Sequence, residues 1–128
     1  MLTRGGHFQE VLVNRITLVG NVGGDAEIRT TSTGARVASF SVATNDGYRN
    51  SAGEWVDDPT WHRVVAFSEG LVEMLERNAK KGRTVALSGR MTYRKWRKDG
   101  EKTDRTQAEI VLDRNAEIEF HSPLAGED

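Results

Sequence analysis

A regular alternation of side-chain types between Trp61 and Phe67 (WHRVVAF) restricts the fold more than any other feature of the chain. Successive side chains of a β-strand point to opposite faces, so one face of this segment carries two aromatic rings with Arg63 between them. Two readings fit. The rings fill a core while the arginine reaches solvent, or the whole face is exposed and binds a ligand. This segment alone favours neither.

The stretch from Thr84 to Lys98 favours the second reading, because it alternates over a longer distance. One set of alternate positions is apolar, and the other is basic and aromatic. Trp96 lies within RKWRK, where four cations flank one indole. A ring surrounded by cations is typical of surfaces that stack bases and contact phosphates. The basic and aromatic positions are Arg90, Thr92, Arg94, Trp96 and Lys98.

Length and composition narrow the class of protein. A chain of 128 residues suits one domain with an ordinary core, and it has no cysteine for a disulfide or a zinc-thiolate site. No apolar run approaches the roughly 20 residues that cross a bilayer, and the N-terminus lacks the apolar region of a secretory signal. We therefore expect a cytoplasmic protein.

Charge is distributed unevenly along the chain. The formal net charge of −1 argues against a simple basic nucleic-acid binder. Residues 109–128, however, hold six acids and one base, which leaves 17 bases and 13 acids in residues 1–108, a balance of +4. The body of the chain is basic enough to attract a polyanion.

The pattern predicts five main strands and one helix. The strands are residues 13–22, 35–44, 61–68, 83–97 and 103–120, with 27–31 extending or re-entering the sheet and 45–60 forming a long loop. Ser68 is a suitable N-cap for the helix, and Gly82 is predicted at its C′ position. In the last strand one parity should face the core: Ala108, Ile110, Leu112, Ala116, Ile118 and Phe120.

Three strands, a helix and two strands is the order of an all-β, five-stranded OB-fold Greek-key barrel with one short helix between strands 3 and 4. We assign the barrel to residues 13–121 and a short acidic tail to residues 122–128. Residues 1–12 match no part of the pattern and are expected to be an N-terminal extension; disorder and a misplaced start of the reading frame are both open. The same fold also serves RNA-binding and protein-interaction modules, so fold alone leaves these alternatives open.

Four motifs in order resemble the bacterial single-stranded DNA-binding protein family: Ile16–Asn21 (ITLVGN), Val37–Thr44 (VASFSVAT), Trp61–Phe67 and Arg94–Trp96 (RKW). The resemblance covers residues 13–120. It implies that the chain binds and protects single-stranded DNA with little sequence preference during replication, recombination and repair, as a nucleoid-associated cytoplasmic protein.

The resemblance also implies roles for individual residues. Tyr48 stands where many members of the family carry tryptophan. The stacking residues would be Tyr48, Trp61, Phe67 and Trp96. The phosphate-binding residues would be Arg15, Arg29, Arg49, Arg63, Lys81, Arg94 and Lys95.

Further expectations concern partners and chemistry. Members of the family act as homotetramers, and we expect the same here. They usually end in a flexible linker and an acidic, aromatic tip that recruits other proteins. The present sequence ends at Pro123–Asp128 without that tip, so we expect no recruitment through it unless the sequence is part of a longer chain. The three histidines are scattered without the spacing of a metal site, and no nucleophile is recognisable. We expect no cofactor, no metal and no enzymatic activity.

Overall fold

The computed structural model describes residues 12–121. The predicted N-terminal extension, apart from residue 12, and the predicted acidic tail at 122–128 lie outside the described residues. The elements are β1 (Ile16–Val22), β2 (Glu27–Thr30), β3 (Arg36–Asn45), β4 (Tyr48–Arg49), β5 (Trp55–Val56), β6 (Pro59–Ala66), α1 (Glu69–Asn78), β7 (Thr84–Trp96), β8 (Arg105–Leu112) and β9 (Glu117–Phe120).

Strand pairing confirms the OB-fold order. Strand β1 pairs with β3, β3 with β6, β6 with β8, and β8 with β7, and β7 pairs with β1 again. Only the β6 and β8 pair is parallel among these five. Two short strands extend the sheet, β2 on the edge of β3 and β9 beside β7. The predicted class, all-β with one short helix between the third and fourth main strands, is correct.

The core lies between α1 and the inner faces of the five strands. Alternation along β6 directs Val64 and Ala66 into this core, where both are fully buried. Helix α1 contributes Val72 and Leu75 to the same cluster. Burial of apolar area in one continuous cluster is the main stabilising term for a domain of this size. The strand faces directed away from this cluster are therefore free to serve a binding function.

Ser68 begins the helix as predicted. Its hydroxyl accepts a hydrogen bond from the backbone N–H of Leu71. The end of the helix differs from the prediction, because Ala79 is the C-cap and Gly82 lies three residues further on. Gly82 has φ of +88° in the turn that leads into β7, where its N–H donates to Val22 O. No helix among residues 12–121 is both long and apolar enough to span a membrane.

Ser68→Ala should lower the free energy of unfolding by about 1 kcal/mol, since the first turn of α1 loses a side-chain acceptor. Urea denaturation followed by circular dichroism measures the change. Ser51→Ala, in an exposed turn, is the matched control and should leave the midpoint unchanged. Equal midpoints for both variants would contradict the capping role.

The predicted fifth strand is divided in two. A turn at residues 113–116 separates β8 from β9, with Ala116 N donating to Asp113 O. The prediction that Ala108 faces the core is wrong, because its side chain is exposed. Strand β6 pairs with residues 110–112 of β8, whereas residues 105–108 pair with the end of β7. This end of the β7–β8 hairpin extends beyond the core, so parity alone cannot bury Ala108.

The predicted long loop at 45–60 also contains regular structure. Residues Tyr48–Arg49 and Trp55–Val56 form an antiparallel two-stranded sheet, and β6 already begins at Pro59. Turn-forming residues dominate this segment, which concealed strands of only two residues from a pattern-based prediction. The segment is a small hairpin that projects from the connection between β3 and β6.

Candidate nucleic-acid interface

The outer face of β6 is exposed to solvent, which decides between the two readings of its sequence. Trp61 is 61% exposed and Phe67 is 56% exposed, so neither ring fills the core. Val65 lies between them but is buried, because it is flanked on β3 by Ser39 and on β8 by Val111. At about 3.3 Å per residue, the two rings are some 20 Å apart along the strand. They mark the two ends of one surface.

Glu109 joins cations from two strands at the centre of this surface. Its Oε2 accepts hydrogen bonds from Nε of Arg63 on β6, at 2.9 Å, and from Nε of Arg94 on β7, at 3.2 Å. Strand β8, which carries Glu109, runs between those two strands. The Glu109 side chain is only 10% exposed, whereas both arginines are partly open to solvent. The three groups together carry a net charge of +1.

The central cluster extends to the second tryptophan. The Arg94 guanidinium lies over the Trp96 ring, with Cζ at 4.8 Å from the ring centroid. This contact is a cation–π interaction, and it covers one face of the indole. A base can therefore stack only on the other face unless Arg94 moves. Trp61, Arg63, Arg94 and Trp96 thus occupy one continuous outer face, as their alternation predicts.

Gly23 supports Trp61 from the neighbouring loop. A Cβ atom on Gly23 would lie 2.5 Å from Cζ3 of Trp61 and 2.6 Å from Oγ of Ser41. The ring can therefore occupy its observed position only above a residue without a side chain. Gly24, next in the chain, has no atom within 4 Å of the equivalent point. The alternation patterns of the sequence assigned no role to Gly23, so they missed the support that it gives to the ring.

Phe67 lies at the opposite end of the face, in a groove with a volume of about 560 Å³. Arg90 and Arg114 line this groove with it, and Arg90 Nε lies 3.7 Å from a carboxylate oxygen of Asp113. Arg90 shares the face of Arg94 on β7, but the predicted phosphate-binding set omitted it. The alternation along residues 84–98 was the signal that could have added it.

Tyr48 and Arg49 lie apart from this face, in the two-stranded sheet β4–β5. Both are exposed, but adjacent residues of a strand point to opposite sides, so a single strand of DNA lying on one side would meet only one of them. Arg49 donates through Nη1 to Gly53 O at 2.9 Å. The described contacts do not connect this hairpin to the central cluster.

Trp55 is held in the same hairpin. Its indole Nε1 donates to Asp57 Oδ1 at 2.7 Å, and its ring packs over Gly47, where a Cβ would lie 2.2 Å from the ring. Hydrogen bonds from Asn45 and then from Trp55 lower the pKa of Asp57 below its ordinary value, since both stabilise the carboxylate. These contacts fix Trp55 as part of the hairpin structure.

The remaining predicted cations are dispersed. Arg15 donates to Ser88 Oγ and to Asn115 O, and its Nη2 lies 3.8 Å from Glu117, near the start of β1. Arg29 is exposed on β2 at the edge of β3. Lys81 follows α1. Lys95 is exposed on β7, but alternation places it on the opposite side from Arg94. Within residues 12–121 no group of three or more histidines and carboxylates is arranged to hold a metal ion.

The ring of pairings and the exposed aromatic and cationic face define an OB-fold protein with a candidate oligonucleotide-binding surface. The Single-strand binding protein family model matches residues 13–120. The chain therefore belongs to that family, and the family resemblance predicted from its motifs is confirmed.

Relatives and solved structures agree with this placement. The chain is 41% identical over 101 residues to a single-stranded DNA-binding protein of Rhizobium meliloti, covering 78% of this chain and 58% of the relative. It is 40% identical to that of Rickettsia felis, over 78% of this chain and 66% of the relative. It thus spans less than two thirds of the length of either. The fold is also similar to that of Plasmodium falciparum SSB in its complex with ssDNA, with a TM-score of 0.75 and 31% identity over 90% of this chain and 100% of that one.

Proposed function

We propose that this chain binds single-stranded DNA with little sequence preference and has no catalytic role. The observation that carries the proposal is the outer face on which Trp61 and Trp96 accompany Arg63 and Arg94. Every base has a π-face that can stack on an indole, and every backbone has phosphates that attract guanidinium groups. Membership of the family supports the same reading.

Each part of the face has a proposed role. Trp61, Phe67 and Trp96 stack bases, and Tyr48 stacks a further base if the strand reaches the β4–β5 hairpin. Arg90, beside Phe67, joins the phosphate contacts. The other proposed phosphate contacts are Arg15, Arg29, Arg49, Arg63, Lys81, Arg94 and Lys95.

Titration of a fluorescent oligo-dT against a duplex of equal length, at moderate salt, tests the function. We expect tight binding of the single strand and weak binding of the duplex, because paired bases cannot reach the rings. Equal affinity for the single strand and the duplex, or no binding of either, would contradict the proposal. Preference for oligo-U would support the RNA-binding alternative, and failure to bind any oligonucleotide would favour a protein-interaction module.

Lys95→Ala tests the phosphate contact proposed on the side of β7 opposite Arg94, where Lys95 is exposed and its long side chain can still reach a DNA backbone that passes the tip of the β7–β8 hairpin. Loss of one contact should reduce the slope of log K against log salt by about 0.7. Arg77→Ala, which removes the same charge from the exposed side of α1, is the control and should leave the slope unchanged. An unchanged slope in the Lys95 variant would restrict the DNA path to the Arg94 side of β7.

We further propose that the active particle is a homotetramer that serves replication, recombination and repair in the bacterial nucleoid. A single barrel of this kind contacts about 4 to 16 nucleotides, so protection of longer strands requires several barrels in one particle. Multi-angle light scattering at micromolar concentration should return about four times the chain mass of 14.2 kDa. A monomer mass would refute the assembly without affecting the proposed binding face.

A further inference from the structure

The central carboxylate of the face has no role in stacking bases or in attracting phosphates. Glu109 is a negative group placed at the midpoint of a surface proposed to bind a polyanion, and it is nine-tenths buried. A buried carboxylate is costly unless cations and hydrogen bonds compensate it. Here the compensation comes from Arg63 and Arg94, two of the proposed phosphate-binding residues.

We propose that Glu109 is an internal counter-ion: in the free protein it binds the two arginines as a DNA phosphate would, and it thereby limits the affinity for DNA. This inference rests on the proposed function. The same Oε2 atom accepts from Nε of both arginines, so one carboxylate pairs two guanidinium groups across three adjacent strands. An arriving phosphate meets cations whose charge is already half neutralised.

Glu109 affects the free protein more than the DNA-bound protein, because phosphates neutralise the two arginines in the bound state. Without the carboxylate, the free protein would hold two guanidinium groups near each other with no anion between them. Phosphates would then relieve this repulsion on binding. Removal of the charge should therefore destabilise the free protein and strengthen its binding, because binding and stability are linked through the same two arginines.

Glu109→Gln keeps the size of the side chain and removes its charge. We expect its affinity for oligo-dT to rise roughly two- to fivefold at moderate salt, the order expected of a partly exposed ion pair. The slope of log K against log salt should steepen by about 0.7, because the triad gains one net positive charge. The melting temperature without DNA should fall, and its rise on adding oligo-dT should exceed that of the unaltered chain.

Two controls separate the local effect from general charge and from folding. Glu73→Gln removes the same charge from the exposed side of α1 and should change neither affinity nor slope. Adding Glu109→Gln to the Arg63→Ala, Arg94→Ala double variant should give no further gain, since the effect passes through those arginines. If Glu109→Gln does not melt cooperatively, Glu109→Met replaces it, and the same outcomes apply.

Each outcome decides the inference. An affinity of Glu109→Gln equal to or below that of the unaltered chain would overturn it and would leave Glu109 as a residue that orients the two arginines. A gain that persists without the arginines would also overturn it. Failure of the unaltered chain to bind oligo-dT would instead contradict the proposed function, so the two failures are distinguishable.

Discussion

Trp61→Ala should reduce the affinity for oligo-dT by roughly 5- to 150-fold, because the loss of one stacked base costs about 1 to 3 kcal/mol. The ring is 61% exposed, so little core packing is lost and the melting temperature should change only slightly. Fluorescence titration at several salt concentrations measures both the affinity and its salt dependence. The slope of log K against log salt should stay unchanged, since no cation is removed.

Tyr93→Ala is the matched control for the Trp61 variant. Tyr93 is 68% exposed, comparable to Trp61, but its position on β7 faces away from Arg94 and Trp96, opposite the exposed Ala108. Loss of this ring should leave the affinity within about twofold, the spread of an ordinary surface substitution. Equal losses in both variants would place the DNA on both sides of β7. A large drop in melting temperature for Trp61→Ala alone would mean that the ring supports the fold.

The order of the main strands was predictable from sequence because alternation is a local property. Alternation along β6 separated Trp61 from Val64 and Ala66, but only the basic and aromatic pattern of residues 84–98 favoured exposure of the Trp61 face. The exposure of Ala108 was not predictable, because it depends on how far β8 extends past β6, which is set by tertiary pairing. The two-residue strands β4 and β5 are too short to show a period.

The candidate site shows the same division between local and tertiary information. The rings and cations could be selected from sequence because their residue types are distinctive. Glu109 could not, because it belongs by composition to an acidic C-terminal stretch, and only strand order brings it between Arg63 and Arg94. The role of Gly23 was hidden for a related reason, since the ring it supports is 38 positions further along the chain.

Gly23→Ala should lower the affinity for oligo-dT about tenfold, most of the effect of removing the Trp61 ring, while the domain stays folded. The added Cβ would lie 2.5 Å from the ring and 2.6 Å from Ser41 Oγ, closer than such atoms can approach. The exposed ring can yield by rotating out of its position and the Ser41 hydroxyl by changing rotamer, so the barrel strands need not move. The cost therefore falls on stacking geometry, and the midpoint of urea unfolding should change little.

Gly24→Ala provides a control one residue away, because its Cβ would have no neighbour within 4 Å. That variant should bind oligo-dT as the unaltered chain does. The decisive measurement is the combination of Gly23→Ala with Trp61→Ala. If Gly23 acts by supporting the ring, the double variant should bind no more weakly than Trp61→Ala alone, since the ring is already absent. Additive losses would instead mean that the Gly23 loop contacts DNA independently of Trp61.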